Sequence, residues 1–427
     1  MQRKDLQSAA YATPPRIVKA NEVTEQVLPL RRHRLERQRL RQQPRYIRPC
    51  IVLLATAGVA LCSLVTAVYL LPQKQVDLTD LDVHAHHHEK GRDSNSFVFP
   101  SVEERVKYYM GSWYNRSLAA TELDCSLFQY YSKGMPSMDH PYLFDKSNLQ
   151  SFASSSKEKT ILYKGYVQDY YMKIAPSDFL MIAMFGDKAR NPPFPMVAKA
   201  RKLIASTNQR ESTSIVGYFS MKRHYDKYLE RVENIHVPWE DKKEILIWRG
   251  TSSGHGKRLE VVQAHLHSNP LDIDIRFHEL TKSLQRHVEN QKLLGHKTSI
   301  NDLLHYKYLL SLEGNDVSTG LKWMLYSNSV VFMPPPTTVS WAMEDLLVPF
   351  YHYIPVEPGG SNLLEMVQWA RAHDEECQRI SQQATQYMND LWTSKQAKRD
   401  NQRILEKTLT KYHHQFHSAL DSCRPAP

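Results

Sequence analysis

The sequence has few cysteines, 5 among 427 residues. Cys50 and Cys62 lie in an apolar run, which leaves Cys125, Cys377 and Cys423 for the rest of the chain. Three cysteines allow at most one internal disulfide and leave one thiol that is free or pairs between chains. A disulfide-rich scaffold is therefore excluded, and the composition does not say which two cysteines pair.

Beyond residue 48 the chain has no large excess of either basic or acidic residues. The whole chain has 55 Lys and Arg and 45 Asp and Glu, and residues 1–48 hold 12 and 4 of these, so 43 basic and 41 acidic residues remain. The net charge of +10 therefore belongs mainly to the N-terminal tail. It gives no reason to expect nucleic acid as a partner.

Long apolar runs are scarce too, but the uncharged run of 22 residues from Cys50 to Leu71 is long enough to cross a bilayer of about 30 Å. It predicts a transmembrane helix over residues 49–72, since a signal peptide has a shorter basic region and a core helix a polar face. Only Lys74 is basic in the next 15 residues. We therefore expect a cytosolic basic tail (1–48), a signal anchor and a type II single-pass membrane protein.

The segment after the run, residues 73–101, is polar and predicts a flexible lumenal stem. Its histidines (His84, His86, His87 and His88) have no patterned scaffold around them, so we expect no metal there. Folded sequence is expected from Val102 onward. The triplet Asn115-Arg116-Ser117 makes Asn115 a candidate glycosylation site.

Strand and helix patterns alternate through the second half of the chain. EILIW, RGTSSGHGK and RLEVVQAHL (244–266) predict a strand, a loop and a helix, and DFLMIAMFGD (178–187) predicts a buried strand. Asn362 with Glu365 predicts a capping box. The alternation predicts an α/β fold with domains at 102–240 and 241–395, a closing helix and tail at 396–427, and a ligand in the cleft between the domains.

Two loops in the second half have the composition of phosphate-binding loops. The first, Arg249–Arg258, joins glycines to positive charge, although its spacing does not fit a P-loop and a solvated basic turn is the alternative. The second follows SLEGND, where Ser318 is expected to cap a helix that carries Lys322. Two such loops predict a diphosphate-linked ligand, with Glu313 available for a ribose or sugar hydroxyl.

The second loop also carries a family resemblance. KYLLSLEGNDVSTGLKWML followed by SNSVVFMPPPTTVSWAMEDLLVPFYHYIPV (307–356) resembles the signature region of glycosyltransferase family 90, which contains Rumi-type protein O-glucosyltransferases, capsule-associated xylosyltransferases (CAP10-like) and lipopolysaccharide-modifying enzymes. The likeness extends over residues 102–395. Further motifs stand in the family's order: WYN at Trp113, FGD at Phe185, KAR at Lys199, PWEDKK at Pro238 and WRG at Trp248.

The resemblance implies a GT-B-like pair of Rossmann-type domains and an inverting transfer of glucose or xylose from a UDP-sugar, the co-substrate, without a required metal or tightly bound cofactor. It places the general base at Asp187 and donor contacts at Arg249, Gly250, Thr251, Arg258, Ser318 and Lys322. Trp341 and Glu344 are candidate cleft residues, and Trp341 either packs or stacks on a sugar. The implied partners are the membrane and a glycan or glycoprotein acceptor.

The sequence departs from Rumi-type members at Glu313, where they carry arginine, and at Thr319-Gly320, where they carry an aromatic residue and arginine. The difference suggests another donor contact or donor sugar. It also leaves open a catalytically degenerate lumenal protein that binds glycans or UDP-sugar. The chain has no KDEL-type signal at its C-terminus, which favours the Golgi membrane over the endoplasmic reticulum.

Overall fold

A computed structural model of the chain describes residues 97–131, 140–154, 171–186, 189–203, 213–217, 227–254 and 256–425. The basic tail, the predicted transmembrane helix (49–72) and most of the predicted stem lie outside these residues. Among the helices in the described part, none has both the length and the apolar character that crossing a membrane requires.

The described residues form mixed α/β structure, as the sequence predicted. The strands are β1 Gln129–Tyr130, β2 Tyr142–Asp145, β3 Leu180–Met184, β4 Met196–Ala198, β5 Ala200–Lys202, β6 Ile215–Val216, β7 Lys243–Thr251, β8 Ile273–Glu279, β9 Tyr306–Leu310, β10 Val330–Met333, β11 Thr338–Ser340 and β12 Ile354–Pro355. The α-helices are α1 Val102–Met110, α2 Lys146–Ser154, α3 Met172–Ile174, α4 Lys227–Asn234, α5 Lys257–Ala264, α6 Lys282–Gln285, α7 Ile300–Leu303, α8 Leu321–Leu325, α9 Leu363–Ala372, α10 Asp374–Met388 and α11 Lys395–Asp421.

The second half of the chain builds a five-stranded sheet in the order β12-β10-β9-β7-β8, and every pair in it is parallel. Alternate side chains of a strand point to opposite faces, so Trp248 packs in a core with α5 and α9 while its neighbour Ile247 packs in a second, larger core. Covering on both faces explains why these strands read as apolar runs.

The first half builds a smaller sheet in the order β1-β2-β3-β4-β6, in which β2 and β3 are antiparallel and the other pairs parallel. β3 is buried along its whole length, as the sequence predicted, but ends at Met184. Helix α11 returns to this sheet, where the Tyr412 hydroxyl donates to the Pro195 carbonyl (2.7 Å) and accepts from the Ile182 amide (3.1 Å).

A strand pair and an ion pair are among the described contacts that join the halves. β5 and β11 form an antiparallel pair in which Arg201 lies opposite Val339. Lys199, in the KAR motif, forms an ion pair of 2.7 Å with Asp316, and both side chains are buried. Because buried charges require a partner, this pair fixes the loop after β9 to the first half of the chain.

The ends of the folded part are also fastened. Phe97 and Phe99, in the segment predicted as a stem, pack against Tyr387 of α10 with ring centroids 5.7 and 5.3 Å apart. Cys125 and Cys423 form a disulfide, and Cys377 is free and buried. The limit of one internal bridge among three cysteines therefore holds, and the structure identifies the pair.

Three local predictions are wrong. β7 continues through Thr251, because Arg249 to Thr251 pair with β8, so the first three residues of the predicted loop are strand. Ser318 does not cap α8, whose N-cap is Gly320 without a side-chain cap. Asn362 makes no capping box, because its Oδ1 accepts from the Glu357 amide (2.8 Å) instead.

Candidate active site

The candidate site is a cavity of about 250 Å³ at the carboxyl edge of the second sheet. When its five strands (β7, β8, β9, β10 and β12) are numbered 1 to 5 along the chain, their order across the sheet is 2-1-3-4-5. The direction of winding therefore reverses between β7 and β9. Ligands of doubly wound sheets bind beyond the strand ends at this reversal. The lining comes from the segments after β7, β9, β10 and β12: Lys257, Arg258, Glu260, Ser311, Leu312, Glu313, Val317, Ser318, Leu321, Met333, Pro334, Pro335, Pro336, Thr337, Thr338, Glu344, Pro358 and Gly359.

Arg258 joins the two loops at the reversal. Its guanidinium donates to the carbonyls of Thr251 (3.2 Å), Leu312 (2.9 Å) and Glu313 (3.0 Å) and to the Ser253 hydroxyl (3.1 Å). Burial lowers the pKa of Arg258 to about 10, so the side chain is still a cation at neutral pH. A charged group is thus held in place before any ligand arrives.

Glycines allow the close approach of these loops. Gly254 has φ of 104°, which L side chains rarely adopt, and a Cβ there would lie 3.1 Å from the Gly314 carbonyl oxygen. At Gly250 a Cβ would lie 2.4 Å from the Trp248 indole, over which the Arg258 guanidinium stands at 5.6 Å. The predicted contact residue Gly250 therefore positions Arg258 by leaving room for Trp248.

Glu313 lines the cavity but is engaged by the chain itself. Its carboxylate accepts from the amides of Thr337 (2.8 Å) and Thr338 (3.0 Å) and from the Thr337 hydroxyl. These bonds hold the segment after the three prolines against the loop after β9. A carboxylate can accept further hydrogen bonds, so a role toward a ligand hydroxyl stays a prediction.

Lys322 and Glu344 form an ion pair and are almost fully buried, with 0% and 1% of their side chains exposed. The Glu344 carboxylate also accepts from the amide (2.6 Å) and hydroxyl (2.7 Å) of Ser340. The preceding residue, Met343, has φ of 52°, a left-handed conformation that packing sustains at this buried position. Glu344 lines the cavity, and Lys322 lies behind it as its counter-charge.

Other predicted contact residues lie elsewhere. Arg249 points to the β8 side, where it forms an ion pair of 2.6 Å with Asp274 and donates to the His296 carbonyl (3.1 Å). Thr251 contributes its carbonyl to Arg258. Trp341 is fully buried and packs on Trp392 with ring centroids 5.1 Å apart, so it is a core residue.

Asp187, the predicted general base, lies outside the described residues. Ala189, two positions further along the chain, is buried and packs with Ala200 and Val317, and Val317 lines the cavity. Asn115 is exposed in the turn after Trp113, as a glycosylation acceptor must be.

Sequence reasoning missed the proline wall and the two threonines that follow it. Pro334, Pro335 and Pro336 leave β10 directly into the cavity lining. A proline triplet cannot continue a central strand, so it was a visible sign that the chain departs from the sheet there. Its position opposite the loop after β9 depends on strand order, which the triplet does not encode.

The arrangement suits a ligand with a flat apolar part and an anionic part. The prolines, Leu312 and Val317 give an apolar wall, and Lys257 and Arg258 stand at the N-terminus of α5, whose dipole favours negative charge. Lys257 is 61% exposed and lies 3.9 Å from the Glu313 carboxylate, so its ammonium group is accessible to an anion beside the cavity.

Comparison with known proteins identifies relatives among the glycosyltransferases. A family model described as glycosyl transferase family 90 matches residues 216–411. O-glucosyltransferase LpsA of Dichelobacter nodosus is 30% identical over 230 residues, which cover 52% of this chain and 67% of that protein. Protein O-glucosyltransferase 2 of Danio rerio is 33% identical over 153 residues, 35% of this chain and 29% of that protein.

Protein O-glucosyltransferase 3 of Homo sapiens is 29% identical over 156 residues, again 29% of its own length. The chain thus matches less than a third of these two animal relatives. A solved structure of the wall teichoic acid polymerase TagF matches 45% of this chain and 48% of that one at 13% identity, with a TM-score of 0.21, too low to bear on the fold.

Proposed function

Because the chain belongs to glycosyltransferase family 90, we propose that it transfers glucose or xylose from a UDP-sugar to a hydroxyl group of a glycan or glycoprotein. The cavity at the winding reversal of the second sheet carries the proposal, since it joins an apolar wall to fixed positive charge. Relatives named O-glucosyltransferases favour glucose as the donor sugar.

The nucleobase would lie against the proline wall, and the diphosphate would lie at the N-terminus of α5 near Arg258 and Lys257. Asp187 would accept the proton of the acceptor hydroxyl as that oxygen bonds to the anomeric carbon. The bond from the anomeric carbon to UDP breaks in the same step, with inversion. The positive groups would stabilise the negative charge that develops on the departing UDP.

Two observations support a secretory-pathway location. The Cys125–Cys423 disulfide is a bond typical of oxidising compartments. Asn115 is exposed in its sequon. We include in the proposal a single membrane span over residues 49–72, a lumenal catalytic part in the Golgi, and two Rossmann-type domains in a GT-B-like arrangement.

The first test is a panel of UDP-glucose, UDP-xylose, UDP-galactose and UDP-N-acetylglucosamine against the purified protein, with ADP-glucose as control. We expect one UDP-sugar to raise the melting temperature and to release UDP slowly through hydrolysis. If no UDP-sugar stabilises the protein or releases UDP, the glycan-binding alternative gains over the enzyme.

The second test is Asp187→Asn, which keeps the size of the side chain and removes its basicity. Transfer should fall about 100-fold to 10,000-fold, the range of a lost general base, while UDP binding stays within about twofold. Glu375→Gln, at an exposed carboxylate of α10 outside the cavity lining, is the control and should keep both transfer and UDP binding. Turnover retained by Asp187→Asn would reject this residue as the base without rejecting the donor site.

A further inference from the structure

Asp178, His413 and His417 bring three metal-ligating atoms together away from the residues that line the cavity. Asp178 lies in the turn from Pro176 to Phe179 that leads into β3, and the histidines lie one turn apart on α11. One ligand atom of each residue lies within 4.8 Å of the others. Histidines four positions apart share one face of a helix, a spacing that zinc sites use.

The distances fit ligands of one ion better than hydrogen bonds. The Nε2 atoms of His413 and His417 lie 3.7 and 3.8 Å from the same carboxylate oxygen of Asp178. A hydrogen bond needs about 2.7–3.2 Å. Atoms that bind a tetrahedral zinc ion at about 2.0–2.2 Å lie about 3.4 Å from one another, so small rotamer changes suffice.

The orientation of the rings agrees with this. Both Nδ1 atoms are buried, and neither has a hydrogen-bond partner among the described residues. Both Nε2 atoms face Asp178, with the ring centroids 4.6 Å apart. The side chain of Asp178 is 57% exposed, so the side of the cluster opposite the helix is open to solvent.

We propose that Asp178, His413 and His417 bind a divalent transition-metal ion, with zinc the first choice, and that water completes the coordination. Two imidazoles and a carboxylate are a ligand set that zinc accepts with an open fourth position. The ion would fasten the turn before β3 to α11, next to the contacts of Tyr412 with Ile182 and Pro195. Its role is structural and does not depend on the proposed transfer reaction.

Affinity should be moderate. Zinc-bound histidines usually donate their other N–H to a carboxylate or carbonyl, and loss of such a partner weakens binding about 10-fold to 100-fold. No described residue accepts from either Nδ1. We therefore expect a dissociation constant on the order of micromolar.

The test uses the full chain with His84, His86, His87 and His88 replaced by alanine, because that segment could bind zinc by itself. Chelator-treated protein is titrated with zinc against a chromophoric competitor, and the melting temperature is measured with and without zinc. We expect one equivalent to bind and the melting temperature to rise by about 5 °C at saturation.

His417→Ala should bind no zinc at micromolar concentrations, and zinc should not raise its melting temperature. His414→Ala is the matched control, since His414 is exposed on the same helix and outside the cluster. It should behave as the parent protein. Asp178→Asn changes only an exposed turn residue, so it should fold and bind zinc at least 10-fold more weakly. A parent protein that binds no zinc, or a His417→Ala variant that binds it equally, overturns the proposal.

Discussion

The second sheet has five parallel strands, whereas the first contains an antiparallel pair, β2 with β3. In a parallel sheet the carboxyl ends of all strands meet at one edge, and their loops converge there. The cavity at the second sheet lies at such an edge and takes its lining from four of these loops. In the first sheet the antiparallel pair divides the strand ends between two edges.

The two regions are also fastened by different means. At the second sheet, charged side chains connect one loop to another, as Arg258 and Glu313 do. At the first sheet, α11 supplies apolar packing together with the hydroxyl of Tyr412. Loop-to-loop hydrogen bonds leave polar groups beside a cavity, which a ligand can use, whereas packed helix contacts do not.

The largest effect should come from Arg258→Ala, which removes the cation that joins the loops of the cavity. We expect transfer, measured as kcat/KM for the donor, to fall about 1,000-fold, because three carbonyls lose their donor and the diphosphate loses its counter-charge. Arg249→Ala, on the preceding strand β7, is the matched control. It should lose stability but keep transfer within about threefold, and equal losses in both variants would contradict the placement of Arg258.

A smaller effect is expected from Glu344→Gln, which leaves the buried Lys322 without its counter-charge. Breaking a buried ion pair from one side costs about 3–5 kcal/mol, so the free energy of unfolding in urea should fall by that amount. The double variant Lys322→Met with Glu344→Gln should recover more than half of the loss. A Glu344→Gln protein within about 1 kcal/mol of the parent would show that the pair is not a buried charge pair.

The next effect concerns pH. His352 is buried, and burial lowers its pKa to about 4. The unfolded chain binds a proton near pH 6.5 that the folded chain does not bind, so stability is full above pH 6.5 and declines as pH falls toward 4. The loss from this group should be about 3 kcal/mol.

Urea unfolding of the parent and of His352→Gln between pH 7 and pH 4.5 measures this contribution. The variant should lose less stability over that range, because glutamine does not titrate and can still accept from the Val348 amide, which His352 does at 2.9 Å. His305→Gln, at an exposed histidine, should show the slope of the parent. Identical slopes in the parent and in His352→Gln would reject the assignment.

The smallest effect belongs to the first sheet. Tyr412→Phe removes the hydroxyl that accepts from the Ile182 amide and donates to the Pro195 carbonyl. The buried N–H of Ile182 then loses this acceptor. We expect a loss of about 2 kcal/mol in the free energy of unfolding with no change in donor binding. Thr410→Val is a control on the solvent side of α11. A change in the KM for the donor would contradict the separation of the two regions.

Periodicity and composition located the main elements correctly. The buried strand before Gly186, the strand–loop–helix unit at β7 and α5, and the long closing helix all stand where apolar patterns put them. Capping residues were less reliable. Asn362 accepts a hydrogen bond from the Glu357 amide, and Ser318 gives α8 no side-chain cap. A side chain that can cap a helix can also accept from a loop amide, as Asn362 does.

Sequence determined the elements, the limit of one disulfide and the approximate place of the cavity loops, because these follow from local patterns and from chain order. Tertiary structure decided the functions of individual charges. Arg249 and Arg258 are only nine residues apart in the sequence. Arg249 nevertheless pairs with Asp274, whereas Arg258 donates to the carbonyl of Glu313 in the cavity lining. Neighbouring side chains of a strand point to opposite faces, and partners such as Asp274, Glu313 and Glu344 come from distant segments, so only the folded chain assigns them.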